Sequence, residues 1–255
     1  LTALDYEIVV PSRNRVANMG RIRQLLPTAK VCVDEREVRE YTKVVPKDHL
    51  IAHPGLVGLP TIHNWLIEEI KAPILIRIDD DLRWIISNTG SRRHITDAQE
   101  ILAVIENAAR ACFDLGLGVF CFSRAANTTI VRPEEKPIVP TQVAASAFGI
   151  MNAARYRKFD PKLHGRADVD FSLQTLLDDR VLYADIRFYF DFGPIGYGSG
   201  GSAGMISRKD YQTVSRLLAL KWGSSLKHGG PAFVKNRTSE SMSLAVKRTN
   251  PRAQK

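Results

Sequence analysis

Cysteine is scarce in this chain, with three residues (Cys32, Cys112, Cys121) in 255, and none stands at a spacing that suits a metal or a redox pair. An odd number among apolar neighbours reads as buried free thiols in a reducing compartment. No run of about 18 apolar residues occurs, so no membrane span is expected. Residues Leu1 to Glu7 show neither a basic n-region nor an apolar h-region, so no signal peptide is expected. The two Asn-x-Thr sequons, at Asn127 and Asn236, carry no meaning without secretion. A cytoplasmic setting follows, which would be the host cytoplasm for a viral protein or the nucleus for a eukaryotic one. Also missing are a Gly-rich Walker loop and a Gly-x-Gly-x-x-Gly after the first apolar run. Those absences argue against a P-loop nucleotidase and a Rossmann dehydrogenase.

What is present is an ordinary globular composition, 44% hydrophobic and 25% charged, with a net charge of +9. The charge is uneven. From Ser224 to Lys255 seven Lys/Arg face one acid, Glu240, so this segment carries +6 of the +9. The expected division is therefore a body over residues 1–223 and a basic C-terminal tail over 224–255. Such a tail is either a solvated terminus or an arm for nucleic-acid phosphates.

Along the chain, short apolar runs alternate with helical patterns. Tyr6–Val10, Ala29–Asp34, Ile74–Ile78, Gly118–Ser123, Val143–Met151 and Val181–Phe190 read as strands, with His49–Ala52 weaker. Helices are expected from Leu59, from a capping box at Thr96-Asp-Ala-Gln99, over Asp168–Asp178 and over Ser207–Trp222. Strands alternating with helices indicate a mainly parallel sheet covered on both faces. Ligands of such sheets gather at the carboxyl ends of the strands. Pro11-Ser12-Arg13, Asp34 and Asp79–Asp81 all directly follow strands and should converge on one crevice. The segment Gly193–Gly204 holds six glycines and reads as a lid or a flexible connector.

Three adjacent carboxylates, Asp79-Asp80-Asp81, repel one another and call for a positive partner. A divalent cation such as magnesium or manganese suits such oxygen ligands and also takes diphosphate oxygens. The plain alternative is a solvated acidic turn paired with Arg77, Arg83, Arg92 or Arg93. The cluster ends a buried strand and apolar character resumes at Leu82 and Trp84, which favours a ligand site. Pro11-Ser12-Arg13-Asn14-Arg15 adds two guanidinium forks and a hydroxyl, suited to a diphosphate or a base edge, or else two surface arginines.

The stretch from Ala144 to Leu173 holds an apolar strand, a short helix, a Phe159-Asp160 turn and then Ala167-Asp168-Val169-Asp170 opening a helix. This order resembles the inverting nucleotide-sugar glycosyltransferases of GT-A fold, whose motif there is Glu-Asp-x-Asp; Ala167 stands in place of the Glu. The resemblance spans roughly Tyr6 to Tyr189. It implies an α/β, GT-A-like fold with a mainly parallel central sheet flanked by helices, and Mn2+ or Mg2+ as cofactor. Asp79–Asp81 match the family's Asp-x-Asp, so Asp81 and Asp79 would hold the metal, with His228 as a last ligand. Pro11, Ser12, Arg13, Arg15, Asp34, Asp79 and Asp80 would bind the donor, Asp34 at the nucleotide base. Asp168 would be the general base, kept ionised by the helix dipole, with Asp170 and Arg166 on the acceptor side.

The opening Ile8-Val-Val-Pro-Ser-Arg-Asn-Arg15 resembles most the oxygenase-associated branch, the base J glucosyltransferases of kinetoplastids and their phage relatives. That branch implies a UDP-sugar donor, with glucose favoured, and DNA containing hydroxymethylcytosine or hydroxymethyluracil as acceptor. The rival expectations are a polysaccharide, lipid or protein acceptor, or a non-catalytic nucleic-acid-binding domain.

Overall fold

A strand covered on both faces needs apolar side chains at every position, and the computed structural model shows why this chain has several. It describes residues 4–90, 92–126, 137–192, 208–231 and 240–244, with the side chains of 208, 209, 211, 227–231 and 240–243 excepted. Strands are β1 (Tyr6–Pro11), β2 (Lys30–Asp34), β3 (Leu50–His53), β4 (Ile74–Ile78), β5 (Trp84–Ser87), β6 (Arg93–Ile95), β7 (Val119–Ser123), β8 (Ile138–Val139), β9 (Ala147–Met151), β10 (Tyr183–Asp191), β11 (Leu226–Pro231) and β12 (Glu240–Leu244). Helices are α1 (Met19–Leu25), α2 (Val38–Tyr41), α3 (Leu59–Glu69), α4 (Ala98–Asp114), α5 (Ala167–Asp178) and α6 (Arg208–Trp222).

Ten strands form one sheet in the order β3-β2-β1-β4-β9-β7-β10-β5-β6, with β8 also on β10. Pairing is parallel from β3 through β4 and between β7 and β10; β9, β5 and β8 run against the other seven. The expected α/β sheet, mainly parallel and flanked by helices, is therefore observed. Successive side chains alternate between two cores. Ile8, Val10, Ile74, Ile76 and Ile78 join Met19 and Ile22 of α1 and Ile101 and Ile105 of α4. Val9 and Leu75 join Leu66 of α3 and Phe171 and Leu176 of α5 on the other face.

Several boundaries differ from the sequence pattern. The cap of α4 is Asp97 rather than Thr96, its carboxylate accepting from the Glu100 N–H at 2.9 Å. The run from Val143 gives a strand only from Ala147. The hairpin β5–β6 was not expected at all, because its strands are four and three residues long. In the basic C-terminal segment, β11 and β12 pair antiparallel, and Leu226 is buried in the second core. The Gly-rich segment 193–204 lies outside the described residues. No helix among the described residues is long and apolar enough to cross a membrane.

Gly149 of β9 allows the close approach of β7 and β9, since a Cβ there would clash with the Phe120 ring. We expect Gly149→Ala to destabilise the fold by about 1–3 kcal/mol through overpacking, read as a lowered urea midpoint.

Candidate active site

The parallel order β3-β2-β1-β4 sets the carboxyl ends of β2, β1 and β4 side by side, and it brings the turn after β1 onto the aspartates after β4. Past β1 the Ser12 N–H donates to the Cys32 carbonyl at 2.8 Å, holding the turn against β2. The Ser12 hydroxyl donates to one Asp80 oxygen at 2.6 Å and lies 2.7 Å from the Tyr41 hydroxyl. The Arg15 guanidinium donates to the other Asp80 oxygen at 2.6 Å and to Asp81 at 3.2 Å. The Arg15 N–H donates to the Tyr41 hydroxyl at 3.1 Å. Asn14, in the left-handed region at φ 54, makes the bend between Ser12 and Arg15, and its N–H donates to Glu37 at 2.8 Å. Arg13 is exposed and Pro11 buried at this turn.

The three adjacent aspartates thus have three different surroundings. Asp79 is ion-paired with Arg77, a strand residue 3% exposed whose guanidinium also donates to the Ala145 carbonyl at 3.2 Å and lies over the Phe148 ring. Asp80 is buried, both oxygens occupied by Ser12 and Arg15. Burial still pushes it above the usual carboxylate range, against those two partners. Asp81 keeps 36% of its side chain exposed. Burial first, then the charges of Asp79 and Asp80, push it up to about 6. Asp81 is the carboxylate with the least compensated charge, its ion pair being the 3.2 Å contact with Arg15. Of the arginines expected to pair with the cluster Arg77 does so, Arg15 joins it, and Asp81 is left with the longer of the two Arg15 bonds.

Asp34 ends β2. It accepts from the Arg36 backbone at 2.9 Å and from both sides of the Arg36 guanidinium, at 2.8 and 2.5 Å. Those Arg36 bonds hold its carboxyl well below the usual range.

In the second cluster singled out by the sequence, α5 starts at Ala167 with Arg166 as its N-cap. Asp168 is half-buried in the first turn. Burial raises its carboxyl above the usual range, opposed by Arg124 beyond β7, by Arg166 and by local backbone N–H groups. The expected dominance of the helix dipole is thus reversed: desolvation outweighs it. Asp170 caps nothing. It is fully buried, and its oxygens accept from Gln174 at 2.8 Å, Trp222 Nε1 at 2.7 Å and Lys221 Nζ at 2.8 Å. On a helix, residues two apart point to nearly opposite sides, so Asp170 grips α6 while Asp168 faces away from it. Ala167, where the resemblance expects a Glu, is buried in the second core.

The β4 and α5 carboxylates are linked through the segment before β9. Arg77 reaches from Asp79 to the Ala145 carbonyl; one residue earlier in the chain, the Ala144 N–H donates to the Ser172 hydroxyl at 2.9 Å, and that hydroxyl donates to the Asp168 carbonyl at 2.7 Å. Sequence reading missed Tyr41 and Arg36, which carry no motif signal. The side chain of His228 lies outside the described residues. Among the described residues no three or more His, Cys, Asp or Glu side chains are grouped to hold a metal ion.

The sequence model of the TET-associated glycosyltransferases matches residues 6–189. The chain belongs to this glycosyltransferase family. No curated protein matches it. Among solved structures, glucosyl-3-phosphoglycerate synthase from Mycobacterium tuberculosis, in complex with Mg2+ and uridine diphosphate, is 12% identical with a TM-score of 0.52, over 95% of this chain and 88% of that one. A mycobacterial protein reaches 0.54 at 12% identity, over 95% and 84%. TarS (residues 1–349) of S. aureus reaches 0.49 at 12% identity, over 86% of this chain and 65% of that one. This TET-associated glycosyltransferase thus has the GT-A fold, and it spans about two thirds of the TarS structure's length.

Asp81 gives a pH test. Its folded pKa, about 6, lies above its unfolded one, so the native state is penalised at neutral pH and the penalty fades as pH falls through 6. We expect Asp81→Asn to be the more stable form at pH 7.5, by about 1 kcal/mol after discounting for solvent screening. The difference should shrink to a small fraction of that near pH ~4, where the folded group is protonated and the unfolded one about half so. Urea melts of both forms at the two pH values measure it.

Proposed function

We propose that this TET-associated glycosyltransferase is an inverting enzyme that moves a sugar, glucose favoured, from a UDP-sugar to the hydroxyl of a hydroxymethylated pyrimidine in DNA. The observation that carries the reading is the division of the β4 carboxylates, with Asp79 and Asp80 fixed by arginines and Asp81 left short of positive charge. Membership of a TET-associated family and the +6 segment after Ser224 favour a DNA acceptor.

The donor set fits a magnesium or manganese ion. Two carboxylates, Asp81 with Asp79, supply hard oxygen ligands, and such ions characteristically complete their shell with substrate phosphates and water. Bound there, the cation would neutralise charge gathering on the leaving diphosphate. Arg15, beside Asp81, would donate to the same diphosphate, with Ser12 and Tyr41 fixing its turn. Asp34 and Arg36 stand at the end of β2 for the nucleotide base. Asp168 would take the proton from the acceptor hydroxyl. Its raised pKa makes it a stronger base than an ordinary aspartate. Asp170 holds α5, and so Asp168, in place through α6.

The test is single-turnover transfer from a panel of nucleotide sugars to hydroxymethylated and unmodified duplexes. Transfer confined to the modified duplex is the expected result; transfer to neither would refute the DNA reading. Asp168→Asn keeps the side chain's shape but cannot accept the proton, and should lower the rate about 10²–10⁴-fold with substrate affinities near the parent's. Full activity in that variant would exclude Asp168 as the base.

A further inference from the structure

The hairpin β5–β6 follows Asp81 after two residues and forms the edge of the sheet. Its register pairs Ile86 with His94, and β10 pairs Tyr189 with Ile86 and Asp191 with Trp84. Trp84, His94 and Tyr189 therefore share one face, since paired residues, and residues two apart on one strand, point the same way. On that face the Trp84 and His94 rings stack, with centroids 4.8 Å apart and planes 13° from parallel. The Arg83 guanidinium lies over the Trp84 ring at 4.9 Å and is anchored by Asp191 at 2.6 Å. His94 and Arg92 are exposed, while Ile85 and Ile95 point into the core and hold the hairpin to the body. A guanidinium, an indole and an exposed imidazole are thus piled at the sheet edge, a few residues along the chain from the donor carboxylates.

We infer that this pile is a stacking platform for an unpaired nucleobase of a nucleic-acid acceptor, with Arg92 meeting a neighbouring phosphate. The inference rests on the nucleic-acid reading above and adds to it the place where the strand lies. Every base has a π-face, and aromatic or guanidinium planes are what proteins use to hold bases outside a duplex. Cationic side chains around the pile complement the phosphate backbone. The hairpin needs no imidazole for its own stability: Ile85 and Ile95 already anchor it, and His94 projects into solvent.

The experiment measures binding of a fluorescein-labelled oligothymidylate, and of inorganic polyphosphate of similar charge, to the full chain. Replacing a stacking residue costs about tenfold in affinity per base. His94→Ala is expected to weaken the oligothymidylate by about that factor and to leave polyphosphate unchanged, whereas His94→Phe keeps the parent's affinity because it keeps the ring. Arg92→Ala should weaken both probes and flatten their salt dependence. Equal oligothymidylate affinity in His94→Ala, or equal losses for both probes, overturns the platform. Sugar transfer to a hydroxymethylated duplex is measured beside it. A parent that binds the oligonucleotide through His94 but transfers nothing refutes the enzymatic reading and leaves the platform standing.

Discussion

Repulsion among three consecutive carboxylates is the constraint around which this end of the molecule is built. A strand end cannot carry Asp79, Asp80 and Asp81 unless each finds compensation, and the fold gives each a different kind. Arg77, buried within β4 itself, takes Asp79. The turn after β1 brings Ser12 and Arg15 onto Asp80, which ties β1 to β4 beyond the last ladder bond. Asp81 receives the remainder of Arg15's charge and stays raised. Burying Arg77 in a strand is acceptable because its head is bonded to Asp79 and the Ala145 carbonyl while its stem packs in the second core beside Phe148.

The same economy governs α5. Its two aspartates share a turn but not a role. Asp170 is sunk among Gln174, Lys221 and Trp222 and fastens α6, an element beyond the region that the family model matches. Asp168 is raised by burial instead of being held down by a strong partner, which is the state a base requires. Because Ala167 is part of the core, no carboxylate occupies the position just before Asp168.

Much of this was legible in the sequence because it rests on short-range patterns. Continuous apolar runs such as Ile74–Ile78 announced two-sided strands, and carboxylates directly after them announced the crevice, since strand ends in a parallel sheet are neighbours. What could not be read was set by long-range pairing. Tyr41 lies 29 residues from Ser12 and carries no motif. Arg77 looked like one of several equivalent arginines until the strand's facing put it under Asp79. The role of Asp170 depended on α6, 52 residues on at Trp222. The β5–β6 hairpin leaves no pattern in the sequence because its strands, four and three residues long, are too short to show a period.

The most direct measurement is calorimetric titration of UDP into the parent protein and into Asp81→Asn, each with manganese and with excess chelator. If Asp81 holds a cation against the donor diphosphate, the parent binds UDP with manganese and loses it in chelator, and Asp81→Asn binds weakly under both conditions. Equal affinity in all four titrations would contradict the account and leave the β4 aspartates an ordinary charged turn.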